Sequence, residues 1–260
     1  MNIYQHFRKD EQEFIDQVID WVAQVENQYR PYLSNFLNPR QQFIVQSVVG
    51  QYEDIDFDNY GGNAKSEQAR VLIYPPYFEP TVEDFDIALI EIDYPTKFAE
   101  ISHGQIMGTV LGAGVSRDTL GDIVNEGDRW QFFIDQKMKE FIYMNVDRIG
   151  RTTVNLVEKD LEDQIEMTAK WKIEEVVVSS FRIDVVLARA LNLSRNKAKA
   201  LVNNNRIKIN WIEIEQPDID VERHDIISIR GHGRVQIREQ LGKTRKDNIV
   251  LKIGKIDRNT

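Results

Sequence analysis

Five cations stand within the seventeen residues SRNKAKALVNNNRIKIN (194–210): Arg195, Lys197, Lys199, Arg206 and Lys208, with no carboxylate among them. Ser194 reads as a helix N-cap, so Arg195 and Lys197 fall in the first turn. The helix dipole disfavours positive charge there by about 0.3–1 kcal/mol per group at low salt. That same turn offers free backbone N–H groups, which an anion can use. Cations that are locally unfavourable become favourable once a phosphate docks beside them. Arg206 and Lys208, on the strand that follows, extend the patch, and Arg182, Arg189, Arg230 and Arg234 lie in flanking segments. Asn210 offers a hydrogen bond. The expected ligand is a phosphodiester backbone, whose contacts fix position without reading sequence.

Other constellations yield no catalytic centre. Gly112-Ala113-Gly114 has part of the spacing of a dinucleotide loop, but it follows a helix where that loop follows a strand, and it reads as a helix end. Ser194-Arg195-Asn196-Lys197 matches an S-x-x-K pattern without its companion motifs. His6, His103, His224 and His232 lack ligand spacing, and the absence of Cys removes thiolate ligands and thiol nucleophiles, so no metal and no cofactor are expected. Trp130 and Phe132 share one strand face and could stack bases, although core packing is the better reading. Glu91 and Asp93 alternate on a strand with no identifiable acid–base partner.

The elements that must position these residues can be read from periodicity. Phe14, Ile15, Val18, Ile19, Val22 and Val25 recur at helical spacing, and Pro31 with Asn38-Pro39 ends that helix. A second helix follows through Phe43, Ile44, Val48 and Val49, with Pro39 in its first turn. Residues 58–68 read as a turn around Gly61-Gly62. Strands are expected at 70–75 and 85–95, a helix at 103–115, and two strands within 121–135 around Glu126-Gly127-Asp128. A helix through Phe141, Ile142 and Val146 and a strand at 151–158 complete this part. In the last third, Ser180 and Ser194 are expected to cap two short helices. The inner face of the second carries Ala198, Leu201 and Val202. Asn203-Asn204-Asn205 ends it, since Asn tolerates the left-handed conformation. Ile207 and Ile209 then point inward from a strand, with Arg206, Lys208 and Asn210 outward.

The 260-residue chain has a formal net charge of −9. That figure hides a division. Residues 1–171 hold 15 Lys and Arg against 30 Asp and Glu, whereas residues 172–260 hold 18 against 12. A basic module on an acidic body suggests that the last third meets a polyanion. No apolar run approaches the roughly 18 residues of a membrane span. The first residues lack a signal-peptide core, so a cytoplasmic monomer is expected. The expected architecture is α+β: an N-terminal helical part (1–66), a central α/β sandwich (67–160), a linker (161–175) and a C-terminal RNA-binding module (176–260).

The stretch SFRIDVVLARALNLSRNKAKALVNNNRIKIN, followed by DIISIRGHGR, resembles the S4 RNA-binding domain. That domain occurs in ribosomal protein S4, tyrosyl-tRNA synthetases, pseudouridine synthases and a heat-shock ribosome-rescue factor. The matching residues are Arg182, Asp184, Ser194, Arg195, Lys197, Ala198, Leu201, Asn210, Asp225 and Arg230. Asn205, Trp211 and His224 stand where S4 domains usually carry Gly. Asn210-Trp211, Val178–Asp184 and Arg230–Arg234 are similar to the YlmH-like branch, associated with bacterial cell-division operons. NPRQQ, Gly61-Gly62 with Glu67 and Arg70, LGAGVSRDTLGDI and GKTRK extend that likeness over nearly the whole chain. The resemblance implies an RNA-recognition-like fold for the central part, a C-terminal S4 domain, binding to rRNA or tRNA on the large ribosomal subunit and a role in rescuing obstructed nascent-chain complexes. With no catalytic constellation among its residues the protein is expected to be non-catalytic, with no DNA partner. Two alternatives stay open: an RNA-modifying enzyme of pseudouridine-synthase type using S4 as its handle, and a cell-division interaction protein.

Overall fold

Ile15, Val18, Trp21, Val22 and Val25 line one buried stripe of helix α1 (Gln12–Gln28), as their spacing requires. In the computed structural model, which describes residues 3–166 and 171–257, the chain forms two compact units, residues 1–168 and 169–260.

The first unit begins with α1, strand β1 (Tyr32–Leu37), helix α2 (Pro39–Val49), and strands β2 (Asp56–Tyr60) and β3 (Ala69–Tyr74). The strands pair antiparallel in the order β1-β3-β2. Asn38 caps α2 by accepting from the Arg40 and Gln41 N–H groups, and Gln41 returns a bond to the Asn38 N–H. Two of these strands depart from the sequence expectation. β1 lies where only a helix stop was read, because its Ser34 is buried. The Ser34 hydroxyl accepts from the Val71 N–H at 2.8 Å and donates to the Asn35 carbonyl. β2 is a polar edge strand, and its Asp and Asn residues read as turn chemistry. Glu11 and Arg40, joined by two 2.8 Å bonds, form a buried ion pair beneath this layer.

The central part runs β4 (Ile87–Asp93), α3 (His103–Gly112), β5 (Leu120–Glu126), β6 (Arg129–Asp135), α4 (Lys139–Asn145), a small hairpin of β7 (Arg148–Ile149) and β8 (Thr152–Thr153), and β9 (Asn155–Lys159). Its sheet order, β5-β6-β4-β9, with one helix in each crossover, is the βαββαβ arrangement of RNA-recognition folds. Phe132 and Ile134 of β6 pack with Ile90 of β4, Ile106 of α3 and Ile142 of α4 on the helix side. Trp130 packs against the same core, as expected for this face.

The second unit contains β10 (Lys172–Val178), α5 (Ile183–Ala190), α6 (Arg195–Asn203), β11 (Ile207–Ile209), β12 (Ile212–Glu213), β13 (Ile226–Ile229), β14 (Gly233–Lys243) and β15 (Ile249–Asp257). They build one antiparallel sheet, β10-β15-β14-β13-β11-β12. β10 spans Lys172–Glu175, which the sequence placed in a linker. It pairs with β15 along its whole length; Lys172–Glu175 carry one apolar side chain, Ile173, exposed at the sheet edge, while Val176 and Val178 turn onto the core. α5 and α6 pack on the sheet through Ile183, Val186, Leu187, Ala198 and Val202.

Gly62 has φ of +91°, and a Cβ there would lie 2.1 Å from the Phe133 ring. Gly62→Ala therefore combines left-handed strain with overpacking and should destabilise the first unit by about 2–4 kcal/mol. Denaturant unfolding followed by tryptophan fluorescence checks this; an unchanged midpoint would contradict the packing described.

Candidate nucleic-acid interface

Ser194 caps α6 as its sequence position suggests: its hydroxyl accepts from the Lys197 N–H at 3.3 Å. Ala198 and Val202 are fully buried and Leu201 partly so, which turns Arg195, Lys197 and Lys199 away from the core. Ser180 does not cap α5. That helix starts later, at Ile183, and backbone carbonyls of Ile219 and Pro217 take the first N–H groups, at 2.9 and 3.3 Å. A side-chain cap there would be redundant.

The cations of the opening stretch do have a carboxylate, supplied from another helix. Asp184 of α5 has no exposed surface. It accepts from Arg182 at 3.1 and 3.3 Å and from Arg195 Nε at 3.0 Å, and Lys199 Nζ lies 4.0 Å away. Burial pushes the Asp184 carboxyl up, but the hydrogen bonds and charges of Arg182 and Arg195 outweigh it and hold it below the ordinary range. Asp184 thus fixes two guanidiniums, that of Arg182 ahead of α5 and that of Arg195 at the start of α6. Arg195 uses only its Nε–H here, so further donors of the fork remain for a ligand. The side chains of Arg182 and Arg195 are 33% and 52% exposed, so both can be reached from solvent.

The remaining candidates divide by how far the fold has used them. Lys197, Arg206, Arg189 and Arg230 are exposed and have no ion-pair partner among the described residues. Lys208 points outward from β11 and meets Glu213 of β12 at 3.2 Å. Arg234 stacks its guanidinium over the Trp171 ring, 5.4 Å from the centroid. Asn210 is not on the outward face of the strand, as its alternation suggested. It has φ of +49° and forms a two-residue turn with Trp211, at φ +70°, between β11 and β12. Its amide donates to Asp225 Oδ1 at 2.7 Å and accepts from the Ile226 N–H at 3.0 Å. Asp225, also without exposed surface, accepts from the Glu222 N–H at 2.8 Å. Both ends of the Asn210 side chain are therefore committed inside the unit. Asn205 and His224 also adopt positive φ, at 53° and 71°, so all three positions that resembled S4 glycines keep the glycine conformation.

The side of the central sheet where RNA-recognition folds stack bases is covered over its centre, with only Glu91, Arg129 and Lys159 partly exposed beside it. Phe133 and Gln131 of β6 point that way and have no exposed surface. Phe36 of β1 and Ile165 cover Phe133, together with Leu89 and Val124. Gln131 is bonded to Ile165 N–H at 2.7 Å, to the Asp163 carbonyl at 3.1 Å and to Glu91 at 2.8 Å. Glu91 also pairs with Arg129 at 2.6 Å and lies 3.9 Å from Lys159. Burial raises its carboxyl, but those partners hold it below the ordinary range, which suits a structural ion pair and not a general acid. Asp122 accepts from the Glu67 N–H at 2.6 Å, and buried Arg70 reaches the Ser34 and Asp86 carbonyls and Asp135. These bonds tie the N-terminal layer onto the central sheet. Among the described residues, no cluster of three His, Cys, Asp or Glu could hold a metal ion, and no helix is long and apolar enough to cross a membrane.

Asp184→Asn should destabilise the second unit by about 1–3 kcal/mol at neutral pH, less than an enclosed pair would because the arginines are partly solvated. The folded-state pKa of Asp184 is depressed. Its stabilisation is therefore present above the unfolded carboxylate pKa and lost as pH falls through the folded value. The variant should show a flatter acid limb in unfolding experiments between pH 6 and about pH 2. An acid limb parallel to that of the parent chain would refute the role given to Asp184. Charge reversal at Arg195 would set a second carboxylate against Asp184, so it would perturb the fold as well as any ligand contact.

Comparison with known proteins agrees with this geometry. Family models match three successive stretches: "YlmH, N-terminal" over residues 10–78, "Putative RNA-binding domain in YlmH" over 80–163 and "S4 domain" over 181–227. The chain is 37% identical over 246 residues to "Ribosome-associated protein quality control protein P2" of Bacillus subtilis (strain 168), with 95% of each chain covered. It is also similar to the solved structure "Cell division protein ylmH from Streptococcus pneumoniae", at 36% identity and TM-score 0.55, which covers 64% of this chain and 100% of that one. With an S4 unit at its C-terminal end and this likeness along nearly its full length, the chain belongs to the YlmH family.

Proposed function

We propose that this protein is a non-catalytic RNA-binding factor that docks through its S4 unit on structured RNA of the large ribosomal subunit, in the cytoplasm, and acts in ribosome-associated quality control. The observation that carries the reading is the pair of arginines, Arg182 ahead of α5 and Arg195 at the start of α6, held by buried Asp184, with Lys197 and Arg206 exposed and without an ion-pair partner among the described residues. This is a preorganised anion site within residues 172–260, whose net charge is +6, whereas residues 1–171 carry −15. The name of the Bacillus relative supports the process, and the S4 match supports RNA as the ligand. Phosphate contacts of this kind read shape and not sequence, which suits a folded ribosomal or transfer RNA.

The test is binding of the full chain to purified large subunits across a salt series. If about five phosphates are neutralised, log K against log salt should slope by roughly −3.5 to −4.5. Lys197→Glu with Arg206→Glu spares the Asp184 cluster and should reduce the magnitude of that slope by about 2. The control is Lys9→Glu with Lys97→Glu, the same charge change at exposed residues of the first unit. Equal losses from both doubles would make bulk charge responsible and remove the α6 site. Incubation with bulk rRNA and tRNA should leave nucleoside composition unchanged by mass spectrometry; a new modified nucleoside would favour an RNA-modifying enzyme.

A further inference from the structure

Beside the α6 start, the second unit contains a cleft of about 370 Å³. That is within the roughly 300–1,000 Å³ of small-ligand sites. Its apolar wall comes from Val178 at the end of β10, Val185 and Ala188 of α5, and Leu193. Two cations, Arg189 and Arg195, line it as well, and no carboxylate does. Val177, half-exposed on β10, and three polar residues, Ser179, Asn192 and Asn248, complete the lining. Among the described residues, the side chains of these three have no hydrogen-bond partner, although the backbone of Asn248 is bonded to Thr244. Arg195 is held in place by Asp184 through Nε at 3.0 Å.

We propose that this cleft receives one unpaired nucleotide of the bound RNA. This role presupposes the RNA-binding function proposed above and adds a pocket to it. A nucleobase has flat apolar faces and an edge that mixes donors and acceptors. The valine, alanine and leucine wall suits the faces, and the two amides and the hydroxyl offer both kinds of partner to the edge. A phosphate attached to that nucleotide carries the negative charge that Arg189 and Arg195 await. A carboxylate ligand would need donors only and would leave the amide oxygens idle. A wholly apolar ligand would bury the two arginines without partners. Recognition of RNA at splayed, unpaired nucleotides is also where sequence can be read, which the phosphate contacts of α6 alone cannot do.

The experiment uses the full chain and two RNA hairpins that differ only by one extra unpaired nucleotide in the stem. The bulged hairpin should bind about tenfold tighter, the equivalent of one or two net hydrogen bonds. Ala188→Leu fills the cleft without changing charge and should bring the ratio of the two affinities to about one, with the salt slope unchanged. Asn248→Ala keeps the backbone bonds of its turn and should lower the ratio too; it decides the matter if Ala188→Leu does not fold. Asn192→Gly, tolerated at φ +53°, is a third route to the same result. Equal affinity of the parent chain for both hairpins, with a steep salt slope, would overturn the cleft assignment and leave the RNA reading standing. Binding of neither hairpin at low salt would overturn the RNA reading itself. Competition by free nucleoside monophosphates at micromolar concentration would assign the cleft to a free nucleotide and overturn its role in RNA recognition.

Discussion

A carboxylate removed from water must be compensated or it will take up a proton. Asp184 is wholly buried, and its compensation comes from Arg182 in its own segment and from Arg195 and Lys199 one helix later. The pairing fixes how α5 and α6 meet and sets the direction of the first guanidinium of α6. The same contact therefore serves packing and the electrostatics of the surface. The helix dipole penalty on Arg195 is offset by a fixed negative charge beneath it, so the placing of this guanidinium does not depend on a ligand. Groups held in this way would lose little conformational freedom to the RNA ligand proposed above.

The first unit follows a different logic. Its central sheet has the strand order of an RNA-recognition fold, yet the face that would be open in such a fold is part of the interior. Gly61 and Gly62 bring the backbone close enough to lie against Ser66, Gln68 and Phe133, where any side chain would collide. Gln131 satisfies its amide on the segment at 163–165 and on Glu91, so opening this face would expose several buried polar partners together. Fold likeness alone would have placed RNA on that sheet; the residues themselves place protein there.

Backbone conformation explains why the S4 pattern survives without its glycines. Asn205, Asn210, Trp211 and His224 all take positive φ, a region that disfavours residues with a Cβ by about 1–2 kcal/mol. Asn210 recovers part of that through its two side-chain bonds to Asp225 and the Ile226 N–H. For Trp211, whose strain is larger in kind, the turn between Ile209 and Ile212 imposes the conformation.

Much of this architecture was legible from local chemistry. The stripes of α1 and α6, the capping residues Asn38 and Ser194, the left-handed Asn205 and the division of charge follow from neighbours within a turn or two, and these are the distances over which periodicity and capping act. The candidate cations were legible for the same reason, as a run without nearby acids. What the sequence could not show was which of them the fold would employ. Asp184 lies eleven residues before Arg195, and only the packing of α5 on α6 brings its carboxylate to that side chain. Asn210 looked outward by strand alternation, and the turn it occupies directs its amide to Asp225, fifteen residues away. The strands β1, β2 and β10 escaped notice because a buried serine in β1, the polar side chains of β2 and the charged start of β10 hide the alternation that would mark them. Local sequence decided which segments could be helix, strand or turn; long-range pairing of buried polar groups decided which face of the protein is left for a ligand.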